Sequence, residues 1–157
     1  MRARTRLALS TFAVFAMFAV TAPATAQSPG YQAEIDAFFE RFAAGERNEA
    51  IDKLYGKNPW IPLDGDGVRN IKAQLQGVGE VVGEYVGAVK VGELVVADRL
   101  VHVTYMALFE RQPLRFEFEY YRARNEWMIF SFEFDGDIDD DLQAEARRLV
   151  VAGGGGR

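Results

Sequence analysis

The chain has 157 residues, with 18 Lys and Arg against 23 Asp and Glu, one His, no Cys and a formal net charge of -5. Its length favours one domain, and 49% hydrophobic with 13% aromatic residues supplies a real core, which excludes disordered and collagen-like classes.

Arg2, Arg4 and Arg6 precede an apolar run from Leu7 to Val20 that ends in Ala24-Thr25-Ala26. That is the composition of a secretory signal peptide cleaved after Ala26. The run is shorter than the ~20 residues that span a bilayer, and no Cys stands at the junction to carry a lipid. Loss of the three Arg leaves 15 basic against 23 acidic side chains, a net of -8. Nucleic acid is an unsuitable partner at that balance. After cleavage no membrane span is expected, and an exported chain without Cys folds without disulfides, which points to the periplasm or the outside medium.

Ser28-Pro29 reads as a helix start, with the hydroxyl as cap and Pro in the first turn. Tyr31, Ile35, Phe38, Phe39 and Phe42 follow at helical spacing, and Gly45 closes the helix. A second, short helix over 46–55 turns Ala50, Ile51, Leu54 and Tyr55 inward. The segment 57–67, with Trp60 between Pro59 and Ile61, reads as an ordered loop. Asp64 or Asp66 is suited to cap a third helix with the face Val68, Ile71 and Leu75, closing near Gly77 to Gly79.

From Val81 onward the period becomes two, the mark of an antiparallel sheet. Val101, Val103, Tyr105, Ala107 and Phe109 alternate with His102, Thr104, Met106 and Leu108, and Phe116, Phe118 and Tyr120 alternate with Arg115, Glu117, Glu119 and Tyr121. A four-residue turn at 110–113 sets Phe109 opposite Leu114, Tyr105 by Phe118 and Val103 by Tyr120. A three-residue turn over 123–125, with Asn125 left-handed, places Met128, Phe130, Phe132 and Phe134 on the apolar face, and Trp127, Ile129, Ser131 and Glu133 on the polar one. The run of aspartates from Asp135 then opens a C-terminal helix with Leu142, Ala146, Leu149 and Val150 at helical spacing, and a disordered Gly-rich tail covers 153–157. The expected class is α+β: three N-terminal helices on a curved antiparallel sheet of about four to five strands, plus the C-terminal helix, all in one domain over 27–152.

Catalytic material is scarce. Ser28, Ser131 and Thr104 are the hydroxyl nucleophiles of the mature chain, and Ser131 has no nucleophile-elbow glycines around it. One His cannot supply the usual cluster of catalytic zinc ligands. His102 with Glu119, one step diagonally away, is the candidate acid-base pair, set against the plainer reading of a surface histidine among solvated charges. Asp135, Asp137 and Asp139 have calcium-loop spacing, but the sixth position is Asp140 where Gly is needed and the twelfth is Ala146 where Glu is needed. No metal site is therefore expected. Gly79, Gly83 and Gly87 form no phosphate loop, lacking a Lys and a strand-to-helix context.

The three helices, the second opening Gly45-Glu46-Arg47-Asn48-Glu49-Ala50-Ile51, the aromatic strand and the late Asn125-Glu126-Trp127-Met128-Ile129 resemble the nuclear transport factor 2-like superfamily over roughly residues 29–137. This is the cone fold shared with ketosteroid isomerases and SnoaL-type cyclases, and the chain is most similar to its exported, single-domain bacterial members. The resemblance implies a helix-covered concave face, often hollow enough for a small apolar ligand, and an outer face often used for dimerisation. Enzyme members place a carboxylate or a His-Asp pair inside the cone; the register above puts tyrosines there and no acid.

The expected function is a non-catalytic exported binding or interaction domain without a cofactor. Its pocket residues by facing are Phe38, Phe42, Trp60, Tyr105, Phe118, Tyr120, Phe130 and Phe132, suited to a small apolar ligand. Met106, Tyr121, Trp127 and Ile129, ringed by charge on the outer face, are the expected homodimer interface. The alternative is a small isomerase, dehydratase or cyclase using Tyr105 or Tyr120 with an acid such as Glu84, Glu117 or Asp66 turned inward.

Overall fold

The computed structural model describes residues 30–139, 142–144 and 147–148. The expected signal peptide, the Ser28-Pro29 start, and the tail at 153–157 lie outside them, as do Ala146, Leu149 and Val150. Three helices, α1 (Gly30–Ala43), α2 (Arg47–Tyr55) and α3 (Asp66–Val82), precede four strands, β1 (Tyr85–Val96), β2 (Leu100–Phe109), β3 (Leu114–Tyr121) and β4 (Met128–Asp135). The strands form one antiparallel meander in the order β1-β2-β3-β4. The α+β class is that expected, with four strands. Of the expected C-terminal helix the described residues show only short helical pieces, at 138–139, 142–144 and 147–148, and Leu142, expected on its apolar stripe, is exposed.

α1 forms where its apolar residues recur every three to four positions, and Tyr31, Ile35, Phe38 and Phe42 are all buried. Gly45, at φ +80°, ends it, donating its amide to the Phe42 carbonyl at 3.1 Å. α2 buries Ala50, Ile51, Leu54 and Tyr55 as its pattern requires. α3 outruns its expected end, continuing through Gly77 and Gly79 to Val82 and burying Val78 and Val82. Gly79 lies against the Arg47 guanidinium, which donates to the Leu75 and Gln76 carbonyls at 3.2 and 3.1 Å, so the small residue admits a helix contact instead of a stop. Termination falls to Gly83, at φ +89°. Neither Asp64 nor Asp66 caps α3 by its side chain; Gly65 holds the cap position, and Asp66 pairs with Arg69.

The sheet keeps the expected facing over β2 and β3 but in a different register. Ala107 is opposite Leu114, Tyr105 opposite Phe116, and Val103 opposite Phe118, two residues from the expected pairing. A shift of two preserves the face of every side chain, which is why burial alone could not fix it. On β4, Phe132 is opposite Phe118 and Phe134 opposite Phe116, but a bulge between Glu119 and Tyr120 then sets Ile129 opposite Tyr120. Among the described non-glycine residues only Ala97 and Asp98 have positive φ, so the correction of strand facing comes from the bulge at Phe130 and not from a left-handed Asn125. Ile129 therefore faces the core, and Phe130 turns out.

β1 carries two more bulges, between Tyr85 and Gly87 and between Lys90 and Gly92. Its inner face is Ala88, Lys90, Glu93 and Val95, opposite Ala107, Tyr105, Val103 and Val101; its outer face is Val89, Gly92, Leu94 and Val96, opposite Met106, Thr104, His102 and Leu100. The tight turn to β2 uses Ala97 and Asp98 at φ +49° and +54°, and Arg122 secures it by donating to the Asp98 carbonyl at 2.7 Å while pairing with its carboxylate.

Candidate functional site

The inner face is a packed aromatic layer. Phe38 of α1 meets Phe118 at 5.3 Å and Phe132 at 5.2 Å between ring centroids, and Phe42 meets Phe116 at 5.6 Å. Phe38, Phe42, Phe116, Phe118, Tyr120 and Phe132 are each 2% exposed or less. Six of the eight expected pocket residues, Phe38, Phe42, Tyr105, Phe118, Tyr120 and Phe132, thus stand together in the core. Trp60 and Phe130 do not: they are 83% and 61% exposed, the first because the Pro59-to-Leu63 loop carries it out to solvent, the second because of the β4 bulge. Phe130 instead lines a groove of about 490 Å³ with Ile61, Val68 and Ile71 between β4 and α3.

One end of this layer is polar, which no local pattern of residues signals. The Tyr31 hydroxyl donates to Glu93 Oε1 at 2.9 Å, Gln32 Nε2 donates to the Tyr105 hydroxyl at 2.8 Å, and Lys90 Nζ donates to Gln32 Oε1 at 3.0 Å while pairing with Glu93. The Lys90 hydrogen bond, against a cost of burial, holds the Glu93 carboxyl below the usual range. Burial, then Glu93, pushes the Tyr31 phenol up to about 12, and burial does the same for Tyr55. The Tyr120 hydroxyl is buried and makes no well-formed hydrogen bond among the described residues; burial and then the Glu34 carboxylate hold it far above the ordinary tyrosine value. These phenols stay protonated at neutral pH and can donate a hydrogen bond, but they cannot act as bases.

The acids proposed for the inner face lie elsewhere. Glu84 and Asp66 are exposed, and Glu117 stands on the outer face. Glu34, one helical turn after Tyr31, is the acid beside Tyr120; it is paired with Lys57 at 2.7 Å. Its position three residues from an inward tyrosine was the available signal.

The His102–Glu119 pair exists, and it is directly cross-strand rather than diagonal, because of the two-residue register difference. Nδ1 lies 3.2 Å from Glu119 Oε1, while Nε2 lies 3.1 Å from Glu117 Oε1 and 3.2 Å from Thr104 Oγ1. Arg115 lies 3.6 Å from Glu117 and 2.7 Å from Asp135. Burial opposes the Asp135 charge, but the Arg115 hydrogen bond, the Asp137 amide and the Arg115 charge outweigh it and hold this carboxyl below its usual range. Both imidazole nitrogens are engaged by strand neighbours on a half-exposed face, which makes the cluster a cross-strand polar network. It borders a groove of about 1020 Å³ lined by Val91, Leu94, Met106 and Ile138 among others. Among the described residues no group of three or more His, Asp or Glu is placed to hold a metal ion, and no helix is long and apolar enough to cross a membrane.

Of the four expected interface residues, Met106 and Tyr121 lie on the outer face. Trp127 and Ile129 do not. Ile129 is 1% exposed in the core, and Trp127 packs edge-on against Tyr31 at 5.2 Å with the Arg122 guanidinium 4.7 Å over its ring. The apolar surface that is exposed is instead concentrated on β1, where Val86, Val89, Val91, Leu94, Val95 and Val96 are all exposed. The two sheet edges also differ. On β4 the Ile129 carbonyl accepts from Asn58 Nδ2 at 2.7 Å, and the Phe132 amide donates to the Tyr55 hydroxyl at 3.1 Å. Among the described residues no side chain closes the β1 edge in this way.

No family model matches the chain, and no curated protein matches it. A solved structure to which it is similar is described as a calcium/calmodulin-dependent protein kinase type II association domain from Thiobacillus denitrificans, with 17% identity and a TM-score of 0.47, over 68% of this chain and 94% of that one.

Proposed function

We propose that the chain is an exported, non-catalytic interaction domain on the nuclear transport factor 2-like plan, and that its working surface is β1 with the adjoining outer sheet face. One observation carries this reading: the aromatic residues of the inner face are consumed in packing one another, while β1 alone leaves six large apolar residues exposed. Contiguous exposed apolar surface on a folded domain is the usual mark of a binding site. The scarcity of nucleophiles supports it.

The test is binding of the apolar dye anilinonaphthalene sulfonate to the folded protein. Binding that is lost on Leu94→Glu and Val96→Glu, with the fold intact by circular dichroism, is the expected result. Binding unaffected by those changes and displaced by an apolar compound entering between α1 and the sheet would overturn it.

The isomerase reading draws on the buried Tyr120 hydroxyl beside Glu34. It requires space for a substrate against that hydroxyl, and it predicts that Tyr120→Phe abolishes ligand binding without loss of stability.

A further inference from the structure

We propose that β1 pairs antiparallel with β1 of a second copy of this chain, across a two-fold axis between Val91 and Gly92, joining two four-stranded sheets into one. The proposal deepens the interaction-domain reading and rests on it, by naming the partner of that surface.

Three observations converge on this occupant. The first is the contrast between edges. β4 is closed by Asn58 and Tyr55, a protection against strand addition, whereas the twelve-residue β1 keeps its outer backbone edge open among the described residues. The second is facing. Ahead of the Val91 bulge the inner residues of β1 are the even-numbered Ala88 and Lys90; after it they are the odd-numbered Glu93 and Val95. Residues directly opposite in an antiparallel pair share a face, so a self-pair has to match even with odd. An axis between two residues does this, and an axis through one residue does not.

The third is charge. With the axis between Val91 and Gly92, Lys90 lies opposite the partner's Glu93 and Glu93 opposite the partner's Lys90, so the two charges on the inner face of β1 are satisfied twice over. Val89 then meets the partner's Leu94 on the outer face, and Ala88 meets the partner's Val95 on the inner one. A two-fold interface must be self-complementary in this sense. Bulges and inward charges on an edge strand repel an arbitrary strand; here the same features select one register of one sequence.

Charge reversal separates this pairing from the Lys90–Glu93 pair already present within each chain. Sedimentation of the purified protein is expected to give a dimer. K90E and E93K place like charges across the axis, and each is expected to weaken self-association by roughly tenfold or more while retaining a native circular-dichroism spectrum. When the two variants are mixed, they are expected to form a heterodimer, because the charges are complementary only between chains and not within either one. Because the chain has no Cys, Val91→Cys is also expected to cross-link copies on mild oxidation, and Phe130→Cys on the opposite edge is not. A wild-type monomer at high micromolar concentration, or a dimer indifferent to both reversals, overturns the proposal. A monomer whose dye binding is still lost on Leu94→Glu overturns the pairing alone; a monomer holding a small molecule in its interior overturns both readings.

Discussion

The Tyr55 hydroxyl, from the last residue of α2, accepts a hydrogen bond from the Phe132 amide in the middle of β4 at 3.1 Å. One helix thus closes the sheet edge with a side chain where another strand would otherwise bind. Tyr55→Phe keeps the ring and leaves the buried amide without its acceptor, a change expected to cost about 1–3 kcal/mol. Urea unfolding measures it, and the expected result is a lowered midpoint at an unchanged slope. A variant as stable as the wild type would mean that this edge is not held by Tyr55.

The β4 bulge makes neighbouring residues unequal. Ile129 is buried opposite Tyr120, while Phe130 is exposed. Ile129→Ala is expected to cost about 2–5 kcal/mol, and Phe130→Ser less than about 0.5 kcal/mol. Chemical unfolding of the two variants decides the register, since equal losses or the reverse order would place the strand in the simple alternation that the sequence suggests.

Ala97 holds a left-handed conformation, at φ +49°, in the β1–β2 turn. A Cβ there carries a cost of about 1 kcal/mol that glycine does not. Ala97→Gly is therefore expected to raise stability, by up to about 1 kcal/mol after the unfolded chain's added freedom is deducted. A fall in melting temperature would contradict this backbone geometry.

The titrating groups define two pH limits. Burial raises Tyr55 and Tyr85, and burial with Glu93 raises Tyr31, each to about 12. A phenol is neutral when protonated, so this stability is complete below the ordinary value near ~10 and is lost as pH rises through about 12. Glu93 and Asp135 are depressed, so their contribution is complete above the ordinary value near ~4 and is lost as pH falls through their lower folded values. Urea midpoints measured across pH are expected to form a plateau that falls at both ends; a midpoint still rising above pH ~10 would contradict the burial of these phenols.

Much of the helical layer was legible because a 3.6-residue period survives local detail. Tyr31, Ile35, Phe38 and Phe42 needed only their spacing to be placed inward, and the same held for Val101 to Tyr105 at a period of two. Bulges hid the rest. β1 reads Tyr-Val-Gly-Ala-Val-Lys-Val-Gly-Glu-Leu-Val-Val, with no clean alternation because Val86 and Val91 are bulged, so the most exposed apolar strand carried the weakest pattern. Ile129 and Phe130 exchanged faces for the same reason. The polar end of the inner face was hidden differently: Gln32, Lys90 and Glu93 are brought together by tertiary packing across 58 residues of sequence from Gln32 to Lys90, and no local period reports that.

As proposed above, the interior is filled and the outside of the sheet is the working surface. Native mass spectrometry of the purified protein, with the mass read before and after denaturation, tests this. A subunit mass that is the same in both states, within an assembly of two copies, is the expected result. An additional small-molecule mass released on denaturation would contradict it and return the function to the aromatic interior.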